Sequence, residues 1–534
     1  MFNFRKALSV ALSTALLAAC GSSSQTSAVA TSTAHGTLAQ NPPPRIASAS
    51  AAAFAAQLSG SSTGALLLQI GGNPTCGVDF YYLTFWTVGG AGEITKSSGA
   101  LMVPTGAAPA CSGPRPIVLY AHATETDKAF NIADVTNPSN NEGPVVAAMF
   151  AAQGYIVVAP NYAGYDISTL GYHPYLNATQ QSGEMIDTLA AARAALPHTF
   201  TPATSDNGQL FVMGYSAGGH VAMATLRAMQ AAGTAVTATA GMSGPYALEA
   251  FSDAGIFGSV NLGATVFTPL LTTSYQHEYD NIYTATTDIY SATYASGIDT
   301  LLPSTTPIDT IFATGLLPEL AIFDSTTPVL TAAQTGSAAL AAELTAALAV
   351  PSNPANPDTP LFDQGFGSPY LVNNSFRVGY ALDAAANPDG AVPTPQPGVP
   401  LAAVPPTQTF RLALYKNDMR YGGWAPKVPT LLCGGDQDPT VFFPVNTGTM
   451  EAYWGALVAA GLITVLDVNA TPAGPFKAVQ EGFQAFQAAE LALYESAAGG
   501  SLSPAAAAEQ VVQGYHASVE PFCQVAARSF FSQF

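Results

Sequence analysis

The stretch "GQLFVMGYSAGGHVAMATLRAM" runs from Gly208 to Met229, and its reading decides the fold. "GQLFVMGYS" is a short apolar run of strand type. "AGGHVAMATLRAMQAAG" has the apolar spacing of a helix. Between them, Gly214-Tyr215-Ser216-Ala217-Gly218 places a serine at a glycine-flanked bend. In a strand–turn–helix bend of this kind the serine occupies a strained turn, and its small neighbours let strand and helix approach closely. The turn lifts the hydroxyl above the sheet edge and points the backbone N–H of the next residue, Ala217, at the same space. A second G-x-S-x-G match, Gly60-Ser61-Ser62-Thr63-Gly64, reads as lacking both a preceding strand and a following helix, so Ser216 is the candidate nucleophile.

Outward from this bend the chain alternates. "RPIVLYAHA" (115–123) and "YIVVAPNYAGY" (155–165) fit buried parallel strands, and "AVTATAGMSGPY" (235–246) is a further strand. "GPVVAAMFAAQG" (143–154) and "SGEMIDTLAAARAAL" (182–196) read as helices. Upstream, "GALLLQI" (64–70), "DFYYLTFWTV" (79–88) and "GALMVP" (99–104) read as strands, with ordered structure starting near Ala51. From Leu248 to Ala425 the alternation disappears. That segment has one clear helix, "SAALAAELTAALAV" (337–350), and two Pro-rich loops, 351–360 and 388–406. It is too long for a structureless loop and reads as a mostly helical inserted cap. Alternation resumes with "VPTLLCGGDQDP" (428–439), "NTGTMEAYWGALVAAG" (446–461) and "LITVLDVNA" (462–470), followed by helices near 475–498 and 504–513. Buried strands alternating with helices predict an α/β fold: a mostly parallel sheet flanked by helices. The expected layout is a core over 51–247 and 426–534, with the cap over 248–425.

A serine is a poor nucleophile until a base takes its proton. Where a serine is mounted on such a bend, the chain order is serine, acid, histidine. Of seven histidines only His516 follows the strand after the cap, in what reads as a glycine-preceded loop. The acid belongs in "GGDQDPTV", where Asp438 is chosen and Asp436 is the fallback. The acid holds the imidazole tautomer and stabilises the imidazolium. A second oxyanion donor, beside the N–H of Ala217, is expected from "LYAHATET". It is the N–H of Thr124, with Ala123 as the alternative. His122 is expected to brace this loop, His220 to pack inside its helix, and His173 to shape the pocket rim. Two carboxylates in "DQD" lack the further oxygen ligands of a calcium site, and no cysteines stand at zinc spacing. No metal or cofactor is expected.

The chain has 534 residues, 48% hydrophobic and 9% charged, with 15 Lys plus Arg against 34 Asp plus Glu and a net charge of -19. No basic cluster stands ready to neutralise phosphates, which argues against nucleic acid and anionic membrane surfaces as partners. The scarcity of cations suits a neutral or hydrophobic small-molecule or lipid substrate. At the start, "MFNFRKALSVALSTALLAAC" has two cations, an apolar run too short to span a bilayer, and Cys20. This is the layout of a secretory signal. "LAAC" resembles the lipobox of bacterial lipoproteins, which implies lipidation of Cys20, export and attachment to a membrane; Gly21 in place of Asp implies the outer membrane. Residues 21–50, rich in Ser, Ala, Thr and Pro, read as a flexible tether. The remaining cysteines, Cys76, Cys111, Cys433 and Cys523, form an even set that suggests two disulfides in an exported protein. Three pairings are open; Cys76–Cys111 with Cys433–Cys523 joins the nearer partners.

Several stretches together, "YAHATET", "VVAPNYAGYDISTLGYHPYL", "EMIDTLAAARA", "GYSAGGHVA" and "WAPKVPTLLCGGDQDPTV", resemble the secretory lipase family of α/β-hydrolases, which includes bacterial members and the fungal lipase A type. The matched segments lie within about 117–245 and 424–445; the resemblance does not extend to the cap. The resemblance implies carboxylic ester hydrolysis through Ser216, Asp438 and His516, with Ala217 and Thr124 as oxyanion donors. Two features depart from the family: Asn161 stands where Asp often precedes Tyr, and 78 residues separate acid from histidine.

Overall fold

A computed structural model describes residues 34–137, 140–199, 204–353, 356, 358–390, 404–496 and 502–534. The expected leader, Cys20 and the first part of the tether lie outside the described residues. The strands in chain order are β1 (Arg45–Ala49), β2 (Gly77–Val88), β3 (Ile94–Thr105), β4 (Gly113–Ala121), β5 (Ile156–Pro160), β6 (Thr204–Tyr215), β7 (Ala238–Met242), β8 (Phe323–Asp324), β9 (Phe366–Gly367), β10 (Thr430–Gly434) and β11 (Ile463–Asp467). Nine of them form one sheet in the order β1-β2-β3-β5-β4-β6-β7-β10-β11. β1, β2, β3 and β5 pair antiparallel. From β5 through β4, β6, β7 and β10 to β11 every pairing is parallel.

The composition of the strands explains their place. β5, β7 and β10 are buried at every residue, as strands covered by helices on both faces must be. β2 alternates buried and half-buried residues over its second half, the pattern of a strand with one face less covered. The strand order reverses at β4: β5 lies on one side and β6 on the other. In an open α/β sheet the crevice at such a reversal, beyond the carboxyl ends of the strands, is where ligands bind. Ser216 follows β6 and the 122–124 loop follows β4, so the topology alone brings them together. This is the expected α/β-hydrolase arrangement.

Between β7 and β10 comes the helical insertion. Its helices include Leu248–Ile256, Ala264–Tyr279, Asn374–Ala386 and Thr409–Asn417, and β8 pairs with β9 as a minor two-stranded sheet. Its apolar cluster, in which Leu348, Leu371 and Tyr380 are fully buried, also takes in Tyr175, Leu176 and Ala217 from outside the insertion. At its base, buried Arg411 pairs with Glu249, Asp253 and Asp383. Arg420 pairs with Asp418 and Asp389. These groups join the first helix of the insertion to the last, so the long excursion closes on itself.

Four expectations need correction. Described structure begins before Ala51. Leu38 bridges Phe85, and β1 pairs with β2, so the tether expected over 21–50 does not reach residue 50. "GALLLQI" is helical, within Ser62–Gly71. Ser61 caps that helix by accepting from the Gly64 N–H at 3.0 Å, and its Leu and Ala are strong helix formers without β-branching. The second G-x-S-x-G match is therefore followed by a helix after all, and its first serine is a helix cap. The last helix does not end at 513 but runs Pro504–Phe531 and carries His516, which the sequence placed in a loop. Gly514 suggested a break, yet the buried face of Tyr515, Val519, Phe522 and Ala526 holds the helix against the sheet.

Two disulfides are present, Cys76–Cys111 and Cys433–Cys523. The second ties β10 to the last helix. Such bonds persist in oxidising compartments and mark the chain as extracellular or periplasmic. Among the described residues no helix is long and apolar enough to cross a membrane.

Candidate active site

β6 ends at Tyr215 and the helix Ala217–Ala231 begins two residues later. Ser216 between them has φ 54° and ψ -124°, a positive φ that a non-glycine residue adopts only where the surroundings impose it. The glycines make this possible. A Cβ on Gly214 would lie 2.1 Å from the Gly218 carbonyl oxygen, and one on Gly218 would lie 2.0 Å from that of Ala121. Ser216 is 5% exposed.

The histidine reaches the serine from the other end of the chain. His516 Nε2 lies 2.8 Å from Ser216 Oγ, and His516 Nδ1 lies 2.6 Å from Asp438 Oδ2. The other oxygen of Asp438 accepts the N–H groups of Thr440 (2.9 Å) and Val441 (3.0 Å), so both edges of the carboxylate are fixed. Asp436, the alternative acid, is engaged elsewhere and accepts from Asn469 Nδ2 at 2.8 Å. The structure thus brings Ser216, His516 and Asp438 into one hydrogen-bonded line and leaves Asp436 out of it.

The Ala123 N–H donates to Glu142 at 2.9 Å and is not free for another acceptor. The N–H groups of Thr124 and Ala217 find no acceptor among the described residues. The Thr124 hydroxyl is 2.6 Å from the Tyr175 hydroxyl, which fixes the loop from its side-chain end. His122 is buried, with Nδ1 2.7 Å from the Ala123 oxygen and Nε2 3.3 Å from the Asn161 oxygen; burial pushes it down to about 4, so it braces the loop as a neutral ring. His220 contacts the Asn417 carbonyl at 2.7 Å and is likewise pushed down to about 4 by burial. His173 is buried, 2.9 Å from the Ala163 carbonyl, and does not line the cavity beside Ser216. Its assignment to the pocket rim is corrected: its ring packs between Tyr162 and Tyr165.

Ser216 and Ala217 line a cavity of ≈ 900 Å³, its opening included. Most of the other walls come from the insertion, among them Leu248, Phe251, Phe267, Leu271 and Phe376, and among the described residues no charged side chain lines it.

Two kinds of residue around the site escaped the sequence reading. Tyr215, the variable position of the serine motif, donates its hydroxyl to the backbone oxygen of His516, and its ring lies 5.1 Å from the imidazole. Glu142, buried, and Glu520, half-buried, are carboxyls behind the site. In a chain with so few charges, a lone glutamate opening an apolar helix and another four residues after the candidate base were the available signals.

The prolyl oligopeptidase family matches residues 144–262, the segment that holds the serine bend. No curated protein matches the sequence. Among solved structures, the rice cell wall degrading esterase LipA from Xanthomonas oryzae is similar at 25% identity and TM-score 0.60, over 81% of this chain and 91% of that one. A ligand-bound form of the same esterase superposes with TM-score 0.63 at 23% identity, over 93% of this chain and 98% of that one. A hydrolase described as putative, from Legionella pneumophila, shares the fold with TM-score 0.56 at 16% identity, covering 92% of this chain and 96% of that one. With the sheet order, the serine bend and these likenesses together, the chain belongs to the α/β-hydrolase superfamily and is similar to an esterase of that fold.

Proposed function

We propose that this hydrolase cleaves carboxylic esters, with Ser216 as nucleophile, His516 as general base and acid, and Asp438 as the acid that orients it. The observation that carries the reading is the imidazole held between Ser216 Oγ and Asp438 Oδ2. Ser216 Oγ attacks the ester carbonyl carbon while its proton passes to His516 Nε2. The N–H groups of Ala217 and Thr124 face the oxyanion that forms. The tetrahedral adduct collapses, the C–O bond to the alcohol breaks, and the alcohol leaves with the proton from Nε2. Water, deprotonated by the same nitrogen, then attacks the acyl-enzyme and frees the acid and Ser216. The uncharged, aromatic-rich cavity supports neutral or hydrophobic acyl groups. The helical insertion, residues 248–425, acts as the cap over it and excludes bulk water.

The export signal of residues 1–20 and lipidation of Cys20 complete the proposal: a chain tethered to a membrane, the outer one by the residue after the cysteine. A serine peptidase on the same fold is the second reading, favoured by the prolyl oligopeptidase match over 144–262. The test is hydrolysis of p-nitrophenyl esters from acetate to palmitate by the purified protein beside Ser216→Ala. Activity that vanishes in the variant supports the assignment, and its chain-length profile separates esterase from lipase. Equal activity in both proteins removes Ser216 from the mechanism. Inactivity on esters with cleavage of peptide substrates moves the chain to the second reading.

A further inference from the structure

Behind the site, a buried carboxyl and a half-buried one meet at one phenol. The Tyr120 hydroxyl, fully buried near the end of β4, lies 2.8 Å from Glu142 Oε2 and 3.1 Å from Glu520 Oε1. Glu142 is 6% exposed and accepts the Ala123 N–H on both oxygens, at 2.9 and 3.2 Å. Glu520 stands one helical turn after His516, and Gln524, one turn further, donates to Glu520 Oε1 at 2.7 Å. The remaining titratable groups that act on the pair are Glu125, His516, Tyr162 and Tyr215. Among the described residues no lysine or arginine pairs with either carboxyl.

A phenol has one proton to give. It can donate to one of the two carboxyls, and the second contact is a hydrogen bond only if that carboxyl carries a proton and donates to the phenol oxygen. Two ionised carboxylates bridged in this way, without a cation, would repel each other in a medium that screens poorly. Burial, reinforced for Glu142 by the neighbouring carboxyls, pushes Glu142 well up and Glu520 up to about 7.

We propose that Glu142 and Glu520 form a carboxyl pair sharing one proton through Tyr120, and that this pair positions the Ala123–Thr124 loop against the His516 helix. The inference rests on the ester-hydrolase reading for its catalytic consequence. Glu142 takes up the Ala123 N–H, which leaves the next N–H, that of Thr124, directed at the oxyanion. The single negative charge, one turn from His516 on the same helix, favours the imidazolium that forms as Ser216 attacks. Both are positioning residues; neither touches the substrate.

The test uses the full chain as wild type, Glu142→Ala, Glu142→Gln, Glu520→Gln and the Glu142→Gln/Glu520→Gln double variant. On p-nitrophenyl butyrate, Glu142→Ala is expected to lower kcat about 10- to 100-fold, the scale of a misplaced oxyanion donor, with KM unchanged. Glu142→Gln restores most of that loss, because its amide offers an oxygen to the Ala123 N–H and an NH2 to the phenol oxygen. Wild-type kcat in Glu142→Ala, or a Glu142→Gln as impaired as Glu142→Ala, overturns the positioning role. The shared proton is read without any activity, by infrared difference spectra at neutral pH. The C=O stretch of one protonated carboxyl is expected in wild type minus the double variant, and a flat difference overturns the pair. A chain inactive on every ester sinks the ester reading, while the infrared result still decides the pair.

Discussion

Ser216 sits in a bend whose strand and helix are contiguous in the chain, whereas its partner His516 lies 300 residues away on a helix held only by contacts from elsewhere. The serine side is mostly local: β6, two glycines and the helix Ala217–Ala231 form the bend, braced by the Ala121 carbonyl of β4 and the Met242 carbonyl of β7. The histidine side is tertiary. A disulfide joins its helix to β10, the strand leading to Asp438, and Tyr215 holds the His516 carbonyl. Pro521 has no N–H for the Ala517 carbonyl, so the helix is weakened one turn after the histidine and depends on these ties. Local geometry cannot be relaxed piecemeal, while tertiary ties can be cut one at a time.

The largest effect is expected on the serine side. In Gly218→Ala the new Cβ would meet the Ala121 carbonyl oxygen at 2.0 Å and that of His122 at 2.6 Å. Both are backbone and cannot swing away. We expect a cost above about 4 kcal/mol, read as loss of soluble protein with a native circular dichroism spectrum. Normal yield and activity would show that the bend has more play than the elbow geometry allows.

Cutting the disulfides comes next. Cys433–Cys523 closes a separation of 90 residues and Cys76–Cys111 one of 35. Chain entropy alone assigns them about 5 and 4 kcal/mol. Their similar size makes the comparison sharp. Paired Cys→Ala replacements should lower Tm in both cases, but only loss of Cys433–Cys523 should also lower kcat at temperatures where the protein remains folded. A kcat loss of the same size in both would mean that the bond does not position the histidine.

The seam between the two sides is Glu125, one residue past Thr124 and near Glu520. Burial first, then the charges of Asp127 and Glu520, push its carboxyl from 4.5 up to about 8. Between those values the folded chain holds a proton that the unfolded chain has released, so stability falls as pH rises through this window. Glu125→Gln removes that slope. Urea unfolding should give equal stabilities near pH 4 and a variant more stable than wild type at pH 8, by a few kcal/mol at about 1.4 kcal/mol per pH unit. Parallel pH curves would mean that the carboxyl is solvated.

The same division governed what could be read in advance. The serine bend, the parallel strands and Asp438 announce themselves through short-range patterns: glycines flanking a serine, continuous apolar runs, an acid loop after a strand. His516 was identifiable from chain order alone, but not its setting. Gly514 and Pro521 argue locally for a loop, and the helix persists because Val519, Phe522 and Ala526 are buried. "GALLLQI" failed for the converse reason: a short apolar run has no period that separates strand from helix. Glu142, Glu520 and Tyr215 were illegible because their roles lie in partners from β4, the last helix and the serine bend, which only the folded chain assembles.

The smallest expected effect isolates one of the tertiary ties. Tyr215→Phe keeps the ring beside the imidazole and deletes only the hydroxyl that the His516 carbonyl accepts. A buried hydrogen bond of this kind contributes about 1 kcal/mol, so the global stability should fall by roughly that amount. If the tie serves only the fold, kcat is untouched at a temperature well below Tm. If it sets the depth at which His516 meets Ser216, kcat falls about fivefold to tenfold with KM constant, because a misaligned base costs transition-state stabilisation and leaves ester binding alone. The control is Tyr215→Leu, which also removes the ring contact. A further loss of kcat there, beyond that of Tyr215→Phe, would assign the remainder to ring packing. Equal losses would assign the whole effect to the hydroxyl, and with it the one direct bond from the serine motif to the backbone of the histidine helix.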